Sequence, residues 1–188
     1  MRIIAGKYKG KLLNEFNLGT TRPTADMVRE ALFDKIGTEV AGKKFLDLFA
    51  GTGAVGLEAI SRNAESSCFV DVEPSAVKII NKNIQLLNAE NCEAFCIAFE
   101  QALILFAKQN KKYDYIFLDP PYNTEFAEKA IRIIFEKKLL NDDGLIIWEH
   151  DKTKLEYIAA NFPESKTKKY GIKYLTYIYA NIWIKMQI

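Results

Sequence analysis

The sequence predicts an α/β fold in which parallel strands are joined by crossover helices, and three observations predict it. From Lys44 onward, short apolar runs alternate with amphipathic stretches. The first run leads directly into a G-x-G-x-x-G turn that opens a helix. Near the C-terminus, two aromatic-rich stretches follow one another with no helix between them, as antiparallel strands at a sheet edge do. The chain has 188 residues, 49% of them hydrophobic, enough to bury one core and too few for two ordinary domains. One compact unit is expected, with residues 1–40 an accessory hairpin and helix and residues 41–188 the main domain.

Residues 2–13, with Gly6 and Gly10 among basic side chains, read as a short basic hairpin. Residues 24–36 read as a helix with Thr24 as N-cap and Asp26 in its first turn, and Arg22-Pro23-Thr24 as the turn before it. Core strands are expected at residues 45–49, 67–71, 94–97, 113–118 and 144–148. Between them, Ala76, Ile79, Ile80, Asn83, Ile84 and Leu87 keep helical spacing, as do Ala127, Ala130, Ile131, Ile134 and Phe135. Five β-α units result. A further helix falls near residues 154–161, and residues 168–185 divide into two strands around 171–174.

The 26 Lys and Arg nearly balance the 24 Asp and Glu, so a net charge of +2 points to no particular partner. Distribution says more. Arg2, Lys7, Lys9 and Lys11 meet no acid within the first 13 residues, and Lys166, Lys168, Lys169 and Lys173 form a second cluster. Such patches neutralise phosphates or simply solvate a surface. Cys68, Cys92 and Cys96 lack the spacings of a disulfide framework or a zinc site and are expected as reduced, buried thiols. No apolar run approaches the roughly 18 residues of a membrane span, and the N-terminus does not resemble a signal peptide, so a soluble cytoplasmic protein is expected. His150 is the sole histidine, which excludes a His pair or a His-rich metal site, and no metal is expected. Beside Glu149 and Asp151, it reads as a solvated loop residue.

Gly51-Thr52-Gly53-Ala54-Val55-Gly56 follows the first strand directly, and Asp71 ends the second strand, twenty residues after Gly51. Glycines let the backbone turn tightly and approach a ligand closely, and an acid at the tip of the second strand accepts hydrogen bonds from a ribose diol. A nucleoside-bearing cofactor is implied, and both nicotinamide dinucleotides and S-adenosylmethionine fit. Asp47, just before the turn, separates them. Its negative charge is unfavourable beside a pyrophosphate and favourable beside an ammonium and a sulfonium, which tips the balance toward S-adenosylmethionine.

The fourth core strand ends in Asp119-Pro120-Pro121-Tyr122. In an open α/β sheet ligands lie beyond the carboxyl ends of the strands, so this corner and the glycine turn are expected to face one crevice. The prolines fix φ and remove donors, leaving outward carbonyls as acceptors. An exocyclic amine on a nucleic-acid base is a poor nucleophile because its lone pair is delocalised into the ring. Accepting its hydrogens on the Asp119 carboxylate and the Pro120 carbonyl draws the nitrogen toward sp³ geometry and aims the lone pair. Tyr122 offers a face for a base taken out of its stack, worth roughly 1–3 kcal/mol.

Asp47-Leu48-Phe49-Ala50-Gly51-Thr52-Gly53, Asp119-Pro120-Pro121-Tyr122, Arg22-Pro23-Thr24 with Val28-Arg29-Glu30-Ala31-Leu32-Phe33, and Arg2-Ile3-Ile4-Ala5-Gly6-Lys7 together resemble the RsmD family, over essentially the whole chain and in order. Its members are bacterial methyltransferases acting on guanine N2 in 16S ribosomal RNA. The resemblance implies a Rossmann-like class I methyltransferase: a seven-stranded, mostly parallel sheet with helices on both faces, an antiparallel edge hairpin, and an N-terminal hairpin that helps hold RNA through Arg2, Lys7, Lys9 and Lys11. It also implies S-adenosylmethionine contacts from Asp47, Phe49, Gly51, Gly53 and Asp71, with Arg22 and Thr24 closing over the methionine end. Asp119, Pro120, Pro121 and Tyr122 would hold the guanine. Where such enzymes often carry Asp or Asn for the adenine amino group, this chain has Ala98-Phe99-Glu100, leaving the Phe99 backbone or the Glu100 side chain for that contact. The expected partner is 16S rRNA, free or in a partly assembled small subunit, and the expected state is a monomer. Three other readings compete: a DNA adenine-N6 or cytosine-N4 methyltransferase, for which no target-recognition region is present; an NAD-dependent oxidoreductase, which leaves the Asp-Pro-Pro-Tyr corner unexplained; and a non-catalytic RNA-binding protein, against which Asp119 argues.

Overall fold

The computed structural model describes residues 1–16 and 23–181. α1 (Pro23–Ile36) and a 3-10 turn (Gly37–Val40) lead into β1 (Lys44–Asp47), α2 (Ala54–Ser61), β2 (Ser66–Asp71), α3 (Pro74–Leu87) and β3 (Cys92–Cys96). Next come α4 (Phe99–Lys108), β4 (Tyr113–Leu118), α5 (Phe126–Glu136) and β5 (Leu140–His150). A second 3-10 turn (Lys152–Lys154), α6 (Leu155–Asn161), β6 (Lys166–Tyr170) and β7 (Lys173–Tyr179) complete the described chain.

Among the described residues the strands form one seven-stranded sheet in the order β3-β2-β1-β4-β5-β7-β6. Pairs are parallel from β3 through β5, while β7 runs antiparallel to both β5 and β6. The strand order reverses between β1 and β4, where an open sheet forms its crevice. Asp47 of β1 is in register with Phe117 of β4. The glycine turn and the Asp119 corner therefore leave the sheet side by side.

Successive strand residues face opposite sides, and two layers of helix cover them. Leu46, Val70, Ile116 and Ile146 pack against Phe106 of α4, Ile131 of α5 and Ile158 of α6. Phe45, Tyr115, Ile147 and Tyr177 face the other way, onto Val28, Leu32 and Phe33 of α1. On that same side Phe69 meets Leu57 of α2 and Ile80 of α3. Each such side chain, fully buried, contributes roughly 1.5–3 kcal/mol. α1 thus fills part of a core layer, and no helix among the described residues is long and apolar enough to cross a membrane.

Several elements differ from the sequence reading. The N-terminal hairpin closes on a single bridge, Arg2 to Leu12. Gly6 and Gly10, at φ +81° and +83°, bend the arm; Ile3, Gly10 and Leu13 donate across the hairpin, while Ile4 and Ala5 donate to the Glu58 carboxylate of α2 at 2.8 and 2.9 Å. α1 begins at Pro23, so Thr24 lies inside the first turn and is not the N-cap. Proline is pre-organised for that first helical position. β6 starts at Lys166, the edge strands separate at Gly171 and Ile172, and residues 182–188 lie outside the described residues. Of the cysteines, only Cys68 is buried; Cys92 is half-buried and Cys96 exposed, because β3 is an edge strand. His150 is neither solvated nor in a loop. It ends β5 at 2% exposure, with Nε2 2.7 Å from the Thr176 hydroxyl and Nδ1 2.7 Å from the Asp151 carbonyl. Burial lowers its pKa, so it sits as a neutral core residue.

Candidate active site

The glycine turn needs its glycines. Gly51 and Gly53 adopt φ of +54° and +77°, a region that L side chains rarely enter. A Cβ on Gly56 would stand 2.4 Å from the Phe69 ring, so the third glycine lets α2 lie against β2. The two flanking acids hold this turn in place. Asp47 accepts from the Gly56 N–H at 3.1 Å. Asp71 accepts from the Gly51 N–H at 2.8 Å with one oxygen and from the Glu73 N–H at 2.9 Å with the other. Asp47 is 1% exposed, and burial pushes its carboxyl up to about 7 despite the Gly56 N–H.

Two cavities meet above the switch point. The larger, about 540 Å³, is lined by Asp71, Glu73, Phe99, Glu100, Pro120 and Tyr122 among others. The smaller, about 220 Å³, is lined by Asp47, Gly51, Thr52 and Arg29, with Met1 and Phe16 from the N-terminal arm. Phe49, Asp119 and Lys173 line both. One wall is aromatic: Phe99 lies between Phe49 and Phe126 at centroid distances of 5.3 and 5.4 Å. A third cavity, about 860 Å³, lies at the amino ends of the strands around Lys44, Ser66 and Tyr113. It shares no lining residue with the other two and plays no part in this site.

The Asp119 corner is braced from behind. Thr124 donates its hydroxyl to the Pro121 carbonyl at 2.7 Å, and Lys154 donates to the Thr124 carbonyl at 2.7 Å and to Glu128 at 2.5 Å. The Pro121 oxygen is therefore already engaged by Thr124, and the expected row of carbonyl acceptors shortens by one. Tyr122 is 46% exposed, with its ring open to the cleft. Lys173 pairs with Glu149 beside it. Burial opposes the Lys173 charge, yet Glu149, Asp119 and the Tyr122 hydroxyl outweigh it and hold the ammonium protonated well above the usual lysine range.

The structure brings Asp47, Phe49, Gly51, Asp71, Phe99, Asp119, Pro120, Pro121 and Tyr122 to these two adjoining cavities. Gly53 shapes the turn from beneath, where a Cβ would meet Ile80 at 3.2 Å. Arg22 and the side chain of Thr24 lie outside the described residues. Lys7, Lys9 and Lys11 are exposed but sit elsewhere. The Lys7 N–H donates to the Ser61 carbonyl at 2.8 Å, at the last turn of α2 and hence near the amino ends of the strands, away from Asp119. Lys173 does not join the second basic cluster on the surface; it points into the site.

Four contributors were not singled out from sequence. Glu58, fully buried, accepts from Ile4, Ala5 and Arg62 and so latches the arm to α2. Asn83, also fully buried, joins Asn14 of the arm to the Thr52 carbonyl at 3.0 Å. An acid inside an apolar helix and an asparagine on an apolar helical stripe were the available clues. Glu149 and Lys173 left no comparable trace, because only the antiparallel pairing of β7 with β5 brings them together.

Comparison with known proteins agrees with this geometry. A family model described as Conserved hypothetical protein 95 matches residues 1–179. The ribosomal RNA small subunit methyltransferase D of Haemophilus influenzae is 35% identical over 175 residues, covering 92% of this chain and 90% of its own. Among solved structures, a hypothetical protein of Thermus thermophilus superposes with a TM-score of 0.80 at 26% identity, over 95% of this chain and 99% of that one. The 16S rRNA N2 methyltransferase RsmC of the same species, solved with AdoMet and guanosine, shares the fold at a TM-score of 0.71 and 21% identity, over 87% of this chain and 44% of its own.

Proposed function

The chain belongs to the RsmD family, matched as Conserved hypothetical protein 95, and from that membership we propose that it transfers a methyl group from S-adenosylmethionine to the N2 amino group of a guanine in 16S ribosomal RNA. The observation that carries this reading is the junction of the two cavities at Asp119. A cofactor spanning both cavities would present its reactive centre at that junction, where Asp119 stands.

The residues present fit such a cofactor. Asp71 and Glu73 edge the larger cavity, and Phe49 and Phe99 supply flat apolar walls for an adenosine. Asp47 lies beneath the smaller cavity, where a carboxylate suits an ammonium and a sulfonium. When bound, S-adenosylmethionine would supply an electrophilic methyl group, its C–S bond breaking as the methyl leaves and the sulfonium becoming the neutral thioether of S-adenosylhomocysteine. Everything else falls to the chain. The Asp119 carboxylate and the Pro120 carbonyl accept the two amine hydrogens and turn the nitrogen lone pair toward the junction. Tyr122 stacks on the base and holds its plane. As the new N–C bond forms, the nitrogen becomes acidic and releases one proton to Asp119 or to water. Positioning two reactants in this way supplies most of the rate.

Arg2, Lys7, Lys9 and Lys11 hold rRNA phosphates, Lys7 at a distance from the reaction, since its N–H meets Ser61 at the other end of α2. By the family resemblance, Arg22 and Thr24 would bind the methionine end of the cofactor. The protein acts as a cytoplasmic monomer, residues 1–40 serving as an accessory of the single catalytic unit, on 16S rRNA free or within a partly assembled small subunit. Incubation with tritiated S-adenosylmethionine and naked 16S rRNA, small-subunit particles or DNA, followed by nucleoside analysis, tests the reading. Label in N2-methylguanosine from rRNA is expected. Label only in DNA, or none at all, would overturn it.

A further inference from the structure

Lys173 opens β7 and stands where the two cavities meet. Its side chain is 18% exposed and pairs with Glu149, 6% exposed, at the end of β5. The Tyr122 hydroxyl and the Asp119 carboxylate also favour its charge, and it lies 5.8 Å from the centre of the Tyr122 ring. An ammonium has three N–H donors and no acceptor. Glu149 engages one of them, and the proposed chemistry gives the others no task.

We infer that Lys173 is a specificity-determining residue that reads the keto oxygen of the target base. It takes this role only if Asp119 holds a guanine amine, as proposed above. On guanine the 2-amino group, N1–H and the 6-oxo oxygen form one edge, two donors followed by an acceptor. A carboxylate beside an ammonium matches that edge in order: Asp119 accepts from the donors and a Lys173 N–H that does not engage Glu149 donates to the oxygen. Adenine carries an amino group where guanine has the oxygen, so donor would face donor. Glu149 keeps the ammonium charged and aimed before the base arrives, which makes the contact discriminating, because a site built around a hydrogen bond rejects an analogue that cannot form it.

The test uses two RNA oligonucleotides spanning the methylated nucleotide, one with guanine and one with 2-aminopurine at that position. Both carry the 2-amino group; 2-aminopurine lacks the 6-oxo oxygen and N1–H. The wild type is expected to favour guanine in kcat/KM, and Lys173→Met to shrink that preference about tenfold, equivalent to about 1.4 kcal/mol. Lys173→Arg, still a donor, should keep part of it. Because Lys173→Met leaves Glu149 buried without its partner, the ratio is measured again in Lys173→Met/Glu149→Gln, with calorimetric cofactor binding as the check that each site is folded. An equal fall on both substrates overturns the inference and leaves Lys173 as an anchor between β7 and β5. A wild type that barely distinguishes the two bases overturns it as well, whatever the variants do. If the wild type methylates neither, the guanine-N2 chemistry itself fails, a result distinct from a lost preference.

Discussion

Asp47 imposes a pH dependence on cofactor binding whose size follows from its burial. Its carboxyl is 1% exposed and titrates at about 7 instead of 3.8. A cation in the smaller cavity favours the ionised form. With a titration at about 7, the free site is about half ionised at pH 7 and about 3% ionised at pH 5.5. S-adenosylmethionine should therefore bind about fifteenfold more weakly at pH 5.5 than at pH 7, a window in which the ligand's own α-amino group stays protonated. Isothermal titration calorimetry across that window measures the slope, and Asp47→Asn should flatten it at the weak end.

The same group affects stability with the opposite sign. A carboxyl whose pKa is raised by folding holds its proton longer in the native state, so its contribution to stability falls as pH rises from 3.8 to about 7. That displacement corresponds to at most about 4 kcal/mol. Asparagine keeps an acceptor for the Gly56 N–H without the charge. The ligand-free Asp47→Asn protein should thus melt higher than wild type at pH 8 and close to it at pH 4. Cofactor affinity that stays flat from pH 5.5 to 7, or an asparagine variant that melts lower at pH 8, would refute this reasoning.

Asp119→Ala should abolish methyl transfer while calorimetric cofactor affinity changes less than about threefold; equal loss of both would make Asp119 a cofactor residue instead. Gly6→Ala drives a Cβ to 1.8 Å from the Ser61 carbonyl oxygen at a φ of +81°, and should cost at least about 2 kcal/mol. Hydrogen exchange should then show the amides of residues 3–8 losing protection; retained protection would contradict the latch. Replacing Lys7, Lys9 and Lys11 with Ala should lower the dependence of log Kd for rRNA on log salt by roughly 2–3, with kcat unchanged because the cluster is remote from Asp119. A fall in kcat with an unchanged salt slope would place those lysines in a different role.

The parallel core was legible because periodicity and punctuation agreed: apolar runs, a glycine turn after the first, an acid after the second and a diproline corner after the fourth. Local chemistry of that kind is written in consecutive residues. What was not legible depends on approach between distant segments. His150 looked solvated between two acids, yet β7 supplies Thr176 and buries it. The N-terminal arm does close as a hairpin, but nothing in its sequence marks that Ile4, Ala5 and Tyr8 donate to Glu58 and Ser61 of α2. Lys173 looked like one more lysine in a basic run, and only the register of β7 against β5 turns it inward. The sequence marks Asp71 as a ribose acceptor but not that one of its oxygens already supports the Gly51 turn and the other the Glu73 N–H.

The most direct measurement is a structure of the protein with S-adenosylmethionine bound. The donor methyl should face the Asp119 and Pro120 oxygens, with the amino-acid tail over Asp47 and the adenosine between Phe99 and Asp71. A methyl group aimed away from Asp119, or a ligand lodged in the cavity around Lys44 and Tyr113, would contradict the assignment of the site.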